Sequence, residues 1–266
     1  MKPFLKWAGS KYKIVERIKD SLPPGRRLIE PFAGSGAVFL NTSYEEYLIA
    51  DSNADLINLF NQIKVFREDF IEYARQLFNE INNQEDVFYR FREEFNTTQD
   101  LQRKAAIFIY LNRHCFNGLC RYNSKGGFNV PFGRYTSPKF PEQEVRNFAA
   151  KSQKAIFKQC GFVESMASAR EGDVVYCDPP YVPLSATSNF TSYTQDGFGS
   201  KEQELLAITA NSLMKRGIPV VISNHDTAFT RTMYASASID AFHVQRFISR
   251  DASNRGKAAE LIAVFA

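Results

Sequence analysis

Asp178-Pro179-Pro180-Tyr181 is the stretch of this 266-residue chain whose residue types carry the most specific chemistry. It follows the apolar run Val174-Val175-Tyr176-Cys177, and two prolines there have no ladder donors and end a strand rigidly. The Asp178 carboxylate and the Pro179 carbonyl offer two acceptors side by side. Each takes one hydrogen of a flat amino group, draws the nitrogen toward a tetrahedral geometry and stabilises the charge that develops as its lone pair attacks an electrophilic carbon. Tyr181 adds an aromatic face on which a planar base stacks. Asp178, Pro179, Pro180 and Tyr181 are therefore the expected catalytic group.

A second set of residues suits a small nucleoside-like ligand. Glu30-Pro31-Phe32-Ala33-Gly34-Ser35-Gly36 resembles the first glycine loop of S-adenosylmethionine-dependent methyltransferases, where glycines let the backbone come close to the cofactor, with Phe32, Gly34 and Gly36 as expected contacts. A dinucleotide fits poorly, because the third glycine of that fingerprint is missing and Val38-Phe39-Leu40 is too bulky for its close packing. S-adenosylmethionine has no pyrophosphate and needs acceptors for its ribose hydroxyls, a place for which Asp51, at the end of a short apolar run, is suited. The competing reading makes Asp51 the cap of a following helix, a task open to Ser52 or Asn53 as well. Trp7, the only tryptophan, lies in Lys6-Trp7-Ala8-Gly9-Ser10-Lys11, where it walls the pocket while Lys11 approaches the methionine carboxylate.

Composition narrows the remaining classes. A formal charge of +4 favours a polyanionic partner only mildly. The four cysteines read as reduced thiols of a cytoplasmic protein. His114, Cys115 and Cys120 lack a fourth ligand, so no metal is expected. Neither a signal peptide nor a membrane span is apparent.

These residues need a sheet to hold them. Apolar runs at 28–32, 47–50, 174–177 and 219–222 each end in polar residues, and Ser200 with Gln203 reads as a capping box opening a helix between the last two. Strand, helix and strand imply a parallel sheet in an α/β fold, with ligands at the carboxyl ends of its strands, where Gly34, Asp51, Asp178 and Asn224 fall in one crevice. Asp51 and Asp178 lie about twice as far apart as two more βα units of about 30 residues need, so a second lobe is inserted between them. Its helices are expected at 69–79, 86–96 and 102–113. Arg121-Tyr122-Asn123 and Phe128-Asn129-Val130 flank a glycine turn as a β-hairpin, followed by Pro131-Phe132-Gly133-Arg134. A hairpin tipped with Arg121, Asn123 and Lys125, with Arg134 just beyond it, suits a DNA groove, although a solvated loop is the plainer reading of it. The expected division is a catalytic domain at 1–55 and 168–266 and a target-recognition domain at 56–167.

With those motifs in hand, the chain closely resembles the Dam-type DNA adenine methyltransferases, which modify GATC. The likeness runs through Phe4 to Gly9, Glu30-Pro31-Phe32 with its glycine loop, Asn117-Gly118-Leu119-Cys120-Arg121-Tyr122-Asn123, Phe128 to Gly133, Cys177 to Tyr181 with Pro183-Leu184-Ser185-Ala186-Thr187, and Ile222-Ser223-Asn224-His225-Asp226. It implies a Rossmann-like class I methyltransferase sheet with an inserted helical recognition domain. It implies S-adenosylmethionine as cofactor, held by Trp7, Lys11, Asp51 and Asp178, and duplex DNA containing GATC as partner, bound by a monomer. By the same resemblance Lys6 reads the outer guanine, Phe116 inserts beside a flipped adenine, Asn117 meets the orphaned thymine, and Leu119, Arg121 and Pro131 read the other half-site. The segment at 187–190 is expected to close over the target base. Phe116 stands where the family often has tyrosine, and Ser10 where it has glycine. The rivals are a methyltransferase for cytosine, RNA adenine or protein glutamine, and a DNA-binding regulator without catalysis.

Overall fold

The computed structural model describes residues 1–181, 198–245 and 257–266; the segment at 187–190 and the Pro183 to Thr187 motif lie outside them. The strands are β1 (Arg27–Glu30), β2 (Glu46–Asp51), β3 (Ala155–Gln159), β4 (Asp173–Cys177), β5 (Val220–His225), β6 (Ser238–Gln245) and β7 (Lys257–Phe265), in the sheet order β3-β2-β1-β4-β5-β7-β6. The helices are α1 (Val15–Ser21), α2 (Ala37–Asn41), α3 (Ala54–Arg75), α4 (Glu85–Thr97), α5 (Leu101–His114), α6 (Glu142–Ser152), α7 (Phe162–Ala167), α8 (Ser200–Lys215) and α9 (Ala228–Met233). Two compact units share the chain: Met1–Glu16, Ala33–Ser43 and Tyr47–Cys160 form the first, and Arg17–Phe32, Tyr44–Glu46 and Gly161–Ala266 the second.

In the second unit β4 pairs in parallel with β1 and with β5, in a register that sets Tyr176 opposite Val221 and Cys177 opposite Ile222. Every residue of β4 and β5 is buried, which is why both read as nearly unbroken apolar runs. β5 extends to His225, three residues beyond the expected run, so Ser223 and Asn224 sit within the strand. β7 runs antiparallel to both β5 and β6 and lies between them, with Glu260 opposite His225 on one side and Phe242 on the other. Helix α8 makes the crossover from β4 to β5. Its Leu206, Ala207, Ala210 and Leu213 recur at helical spacing and are buried, each leucine contributing about 1.5–3 kcal/mol relative to exposure. Its N-cap is Gly199, one residue earlier than Ser200, and only the back half of a capping box forms: the N–H of Gly199 donates to Glu202 Oε2 at 2.7 Å, with no side chain at Gly199 to return the bond. Glu202 stands three residues after Gly199 just as Gln203 stands three after Ser200, and Gln203 faces inward, 3 % exposed.

The first unit joins β2 to β3 in parallel, with Asp51 opposite Gln159. The Asn53 side chain accepts from the N–H of Leu56 at 3.0 Å and so caps α3. α3 buries Leu56, Ile57, Leu59, Phe60 and Ile63, then kinks at Arg67, where φ is 46°. The helix expected at 69–79 is thus the second limb of a longer one that stops at Arg75. α4 and α5 lie where helices were expected, and α5 is buried from Ala105 through Asn112. Phe4, Phe60, Phe148 and Phe157 interlock edge to face and in offset stacks at centroid distances of 4.6 to 6.2 Å. The hairpin is reduced to one bridge, Tyr122 to Phe128, closed by Asn123 N–H to Gly127 O at 2.9 Å and Asn129 N–H to Arg121 O at 3.1 Å. Longer strands do not form because α4 takes their hydrogen bonds: Asn96 pairs with both the N–H and the carbonyl of Phe128, and Arg92 donates to Val130 O. Among the described residues no helix is long and apolar enough to cross a membrane.

Candidate active site

The parallel register of β4 and β5 brings the residue after Cys177 beside the residue after Ile222. Ser223 Oγ accordingly donates to Asp178 Oδ1 at 3.2 Å and lies 2.9 Å from the Tyr176 hydroxyl, forming a chain from phenol to hydroxyl to carboxylate. This chain fixes the rotamer of half-buried Asp178. Burial, then the Asp178 charge, raises the Tyr176 and Tyr181 phenols well above their ordinary value, so both keep their protons. The Tyr181 hydroxyl reaches Glu260 Oε2 at 3.4 Å, and its ring meets His225 edge-on at 4.6 Å. Pro179 is buried and Pro180 exposed. Asn224, expected among the ligand-facing polar groups, is instead fully buried and donates to Gln203 and Tyr234.

Most of the expected cofactor residues gather in the first unit. Gly34 adopts φ +47°, and a Cβ there would come within 3.0 Å of the Trp7 indole nitrogen, so the bare backbone is what lets the indole lie against the loop. The Gly34 N–H donates to Asp51 Oδ2 at 3.0 Å and the Asn53 N–H to Oδ1 at 2.9 Å. Two backbone donors thereby orient Asp51, while helix capping falls to Asn53. Lys11 is buried and donates to Gly9 O at 2.8 Å, and Ser10 Oγ lies 2.9 Å from Ser35 Oγ, joining the Trp7 segment to the glycine loop. Phe32 is in the second unit, stacked on Phe162 at 5.6 Å.

The expected DNA-reading residues also lie in the first unit. Buried Asn112 clamps Lys6, accepting from its N–H at 2.9 Å and donating to its carbonyl at 2.7 Å, and it also donates to Gly118 O. The Lys6 ammonium lies 4.3 Å over the Tyr135 ring, whose hydroxyl accepts from the Asn117 N–H at 3.0 Å. Burial and the neighbouring Arg113 lower the Lys6 pKa. Gly118 has φ +63°, and a Cβ there would strike the Lys6 side chain. Phe116 is half exposed, at 51 %, on a turn held by its N–H to Pro131 O. Leu119 is partly buried and Pro131 exposed. Arg121 is held by Asn129, whereas Asn123 accepts from Lys125 and Gly127 inside the turn and Arg134 pairs with Glu85 at 3.6 Å.

Residues 7–248 match the family described as D12 class N6 adenine-specific DNA methyltransferase. The chain belongs to that family. Its similarity to curated relatives is of full length: 52 % identity with the DNA adenine methylase of Serratia marcescens, covering 98 % of this chain and 97 % of the relative. The DNA adenine methylases of Escherichia coli K12 and of a Vibrio cholerae O1 strain are 51 % and 50 % identical, covering 94 % and 95 % of those proteins and 98 % of this one. The α/β sheet is thus that of a Rossmann-like methyltransferase acting on the N6 of DNA adenine. The rivals built on cytosine, RNA or glutamine fall away. Ser223, Tyr176, Gln203 and Asn112 are the residues of this methyltransferase whose structural roles single-residue reading missed. The signal was present for Asn112, a lone amide directly after the apolar stretch from Ala105 to Leu111.

Proposed function

We propose that the chain transfers a methyl group from S-adenosylmethionine to the exocyclic amino nitrogen of an adenine flipped out of duplex DNA, within GATC. The observation that carries the reading is the Tyr176, Ser223 and Asp178 chain, which holds a carboxylate at the start of the Asp178-Pro179-Pro180-Tyr181 strip. Trp7 against Gly34, and Asp51 oriented by two backbone N–H groups, fit a ligand with a flat base and a ribose diol. Phe32, Gly36 and Lys11 complete that set. Bound there, the cofactor supplies a methyl group already activated by its sulfonium.

The chain's own residues do the rest. Asp178 and the Pro179 carbonyl each hold one amino hydrogen, so the lone pair localises on nitrogen and the developing charge meets two acceptors. Tyr181 stacks on the base, since the amino group of a paired adenine is out of reach inside the duplex. Residues 56–167 read the sequence: Lys6 from outside that segment, with Asn117, Leu119, Arg121 and Pro131, takes the half-sites, while Phe116 fills the gap beside the flipped base. Asn123 and Arg134 shape and flank the hairpin. The protein works as a monomer, in the cytoplasm.

Asp178→Ala is expected to lower single-turnover methylation by at least about a hundredfold while duplex binding stays within about threefold. Labelled methyl transfer to duplexes carrying GATC or one of its single-base variants checks this together with the site. Wild-type turnover by the variant would overturn the catalytic assignment, and equal rates on all duplexes the GATC assignment.

A further inference from the structure

Gln203 is the deepest polar side chain of α8, and both halves of its amide are engaged. Its Nε2 donates to the backbone carbonyl of Pro180 at 2.7 Å, and its Oε1 accepts from Asn224 Nδ2 at 3.1 Å. Asn224 Nδ2 also donates to the Tyr234 hydroxyl at 3.0 Å, and Asn224 Oδ1 accepts from the His225 N–H at 2.8 Å. The amide therefore has one productive orientation, because a flip would set oxygen against oxygen at Pro180 and nitrogen against nitrogen at Asn224.

An apolar residue at 203 would leave an Nδ2 hydrogen of fully buried Asn224 without this acceptor, so the amide contributes to stability. The bond to Pro180 has a geometric effect as well. Holding the Pro180 carbonyl fixes the peptide plane that leads into Tyr181. The pyrrolidine ring already fixes φ of Pro180, so ψ is the one soft torsion between this plane and the preceding one, which carries the Pro179 carbonyl, and the bond to Gln203 holds that torsion.

We infer that Gln203 is a positioning residue for methyl transfer: anchored by Asn224 on β5, it aims the Pro179 carbonyl and the Tyr181 ring through the carbonyl of Pro180. This inference rests on the catalytic reading of Asp178 to Tyr181 given above. Misaiming an acceptor by about 1 Å costs up to about a hundredfold in rate while leaving binding intact.

Single-turnover methyl transfer, with dissociation constants for S-adenosylmethionine and duplex, is measured for Gln203→Leu, Gln203→Glu and Asp178→Ala on a duplex that the wild-type enzyme methylates. Gln203→Leu is expected to slow transfer about 10- to 100-fold with both constants within about threefold of wild type. Gln203→Glu keeps the size and the acceptor but, when ionised, has no hydrogen to give Pro180. Its rate relative to wild type should rise as pH falls from about 8.5 to about 6, because a buried carboxyl is protonated early and then donates. A merely structural role predicts no such recovery. Should Gln203→Leu fail to fold, Gln203→Glu decides alone. A Leu variant within threefold of wild type, or a pH-independent ratio for the Glu variant, overturns the inference even if Asp178→Ala is inactive. An active Asp178→Ala overturns it together with the catalytic reading.

Discussion

Arg121 illustrates how one side chain is prepared before its partner arrives. Asn129, across the hairpin, accepts its Nε hydrogen at 2.7 Å and an Nη2 hydrogen at 3.3 Å, so the guanidinium is held in one plane rather than sampling many rotamers. At most two of its five N–H groups are used this way, leaving a fork for a guanine edge. Arg121→Ala should relax the choice of one base pair by about 1–3 kcal/mol, read as methylation rates over single-base variants of GATC. Arg121→Lys should not restore the choice, because an ammonium lacks the planar fork. A loss equal for every sequence would instead make Arg121 a phosphate contact. At this scale the sequence displayed the groups that do chemistry, since Asp178 and Asp51 follow apolar runs. It did not display what holds what: Asn112 stands out as a lone amide, but Asn112 and Lys6 are distant in the chain, and only the fold makes the amide of one the clamp of the other.

Among elements, the strands that were legible are those buried on both faces, β1, β2, β4 and β5. β3 exposes Ile156 at 62 % between buried Ala155 and Phe157, and β6 mixes Asp240 and His243 into its run, so neither showed a continuous apolar signal. The start of α8 lies one residue before the one that Ser200 and Gln203 point to, because the N-cap is a glycine, which carries no side chain to signal it. Helix α5 carries a different consequence. Its last residue, His114, is buried, with Nδ1 2.8 Å from the Tyr110 carbonyl, and burial pulls its pKa down to about 4. Unfolding raises that pKa toward its ordinary value near 6.5, so between about pH 6.5 and about pH 4 the unfolded chain binds more protons than the folded one. Stability should therefore fall as pH drops through that window, by up to about 3 kcal/mol from this group, and His114→Gln should flatten that part of the curve. Urea midpoints of both proteins across the window check it, and parallel slopes would reject the assignment.

At the scale of the whole molecule, the family and its α/β architecture were readable because several motifs occur in order along nearly the full chain. The placement of β7 was not, since a strand that turns back to run antiparallel between β5 and β6 leaves no mark in spacing alone. Its removal should be severe: a chain ending at Gln245 leaves β5 and β6 without their shared neighbour and Tyr181 without Glu260. The non-aggregated fraction on gel filtration should fall to a small part of the full-length yield, and a soluble, active truncated protein would show that β7 is dispensable. The same topology gives synthesis a hazardous interval. β6 leaves the ribosome before the strand that will pair with it, and until Lys257–Phe265 follows, both it and the inner edge of β5 stand open to strands of other chains. The interval between the emergence of residues 238–245 and that of residues 257–265 thus bears directly on how many copies escape aggregation.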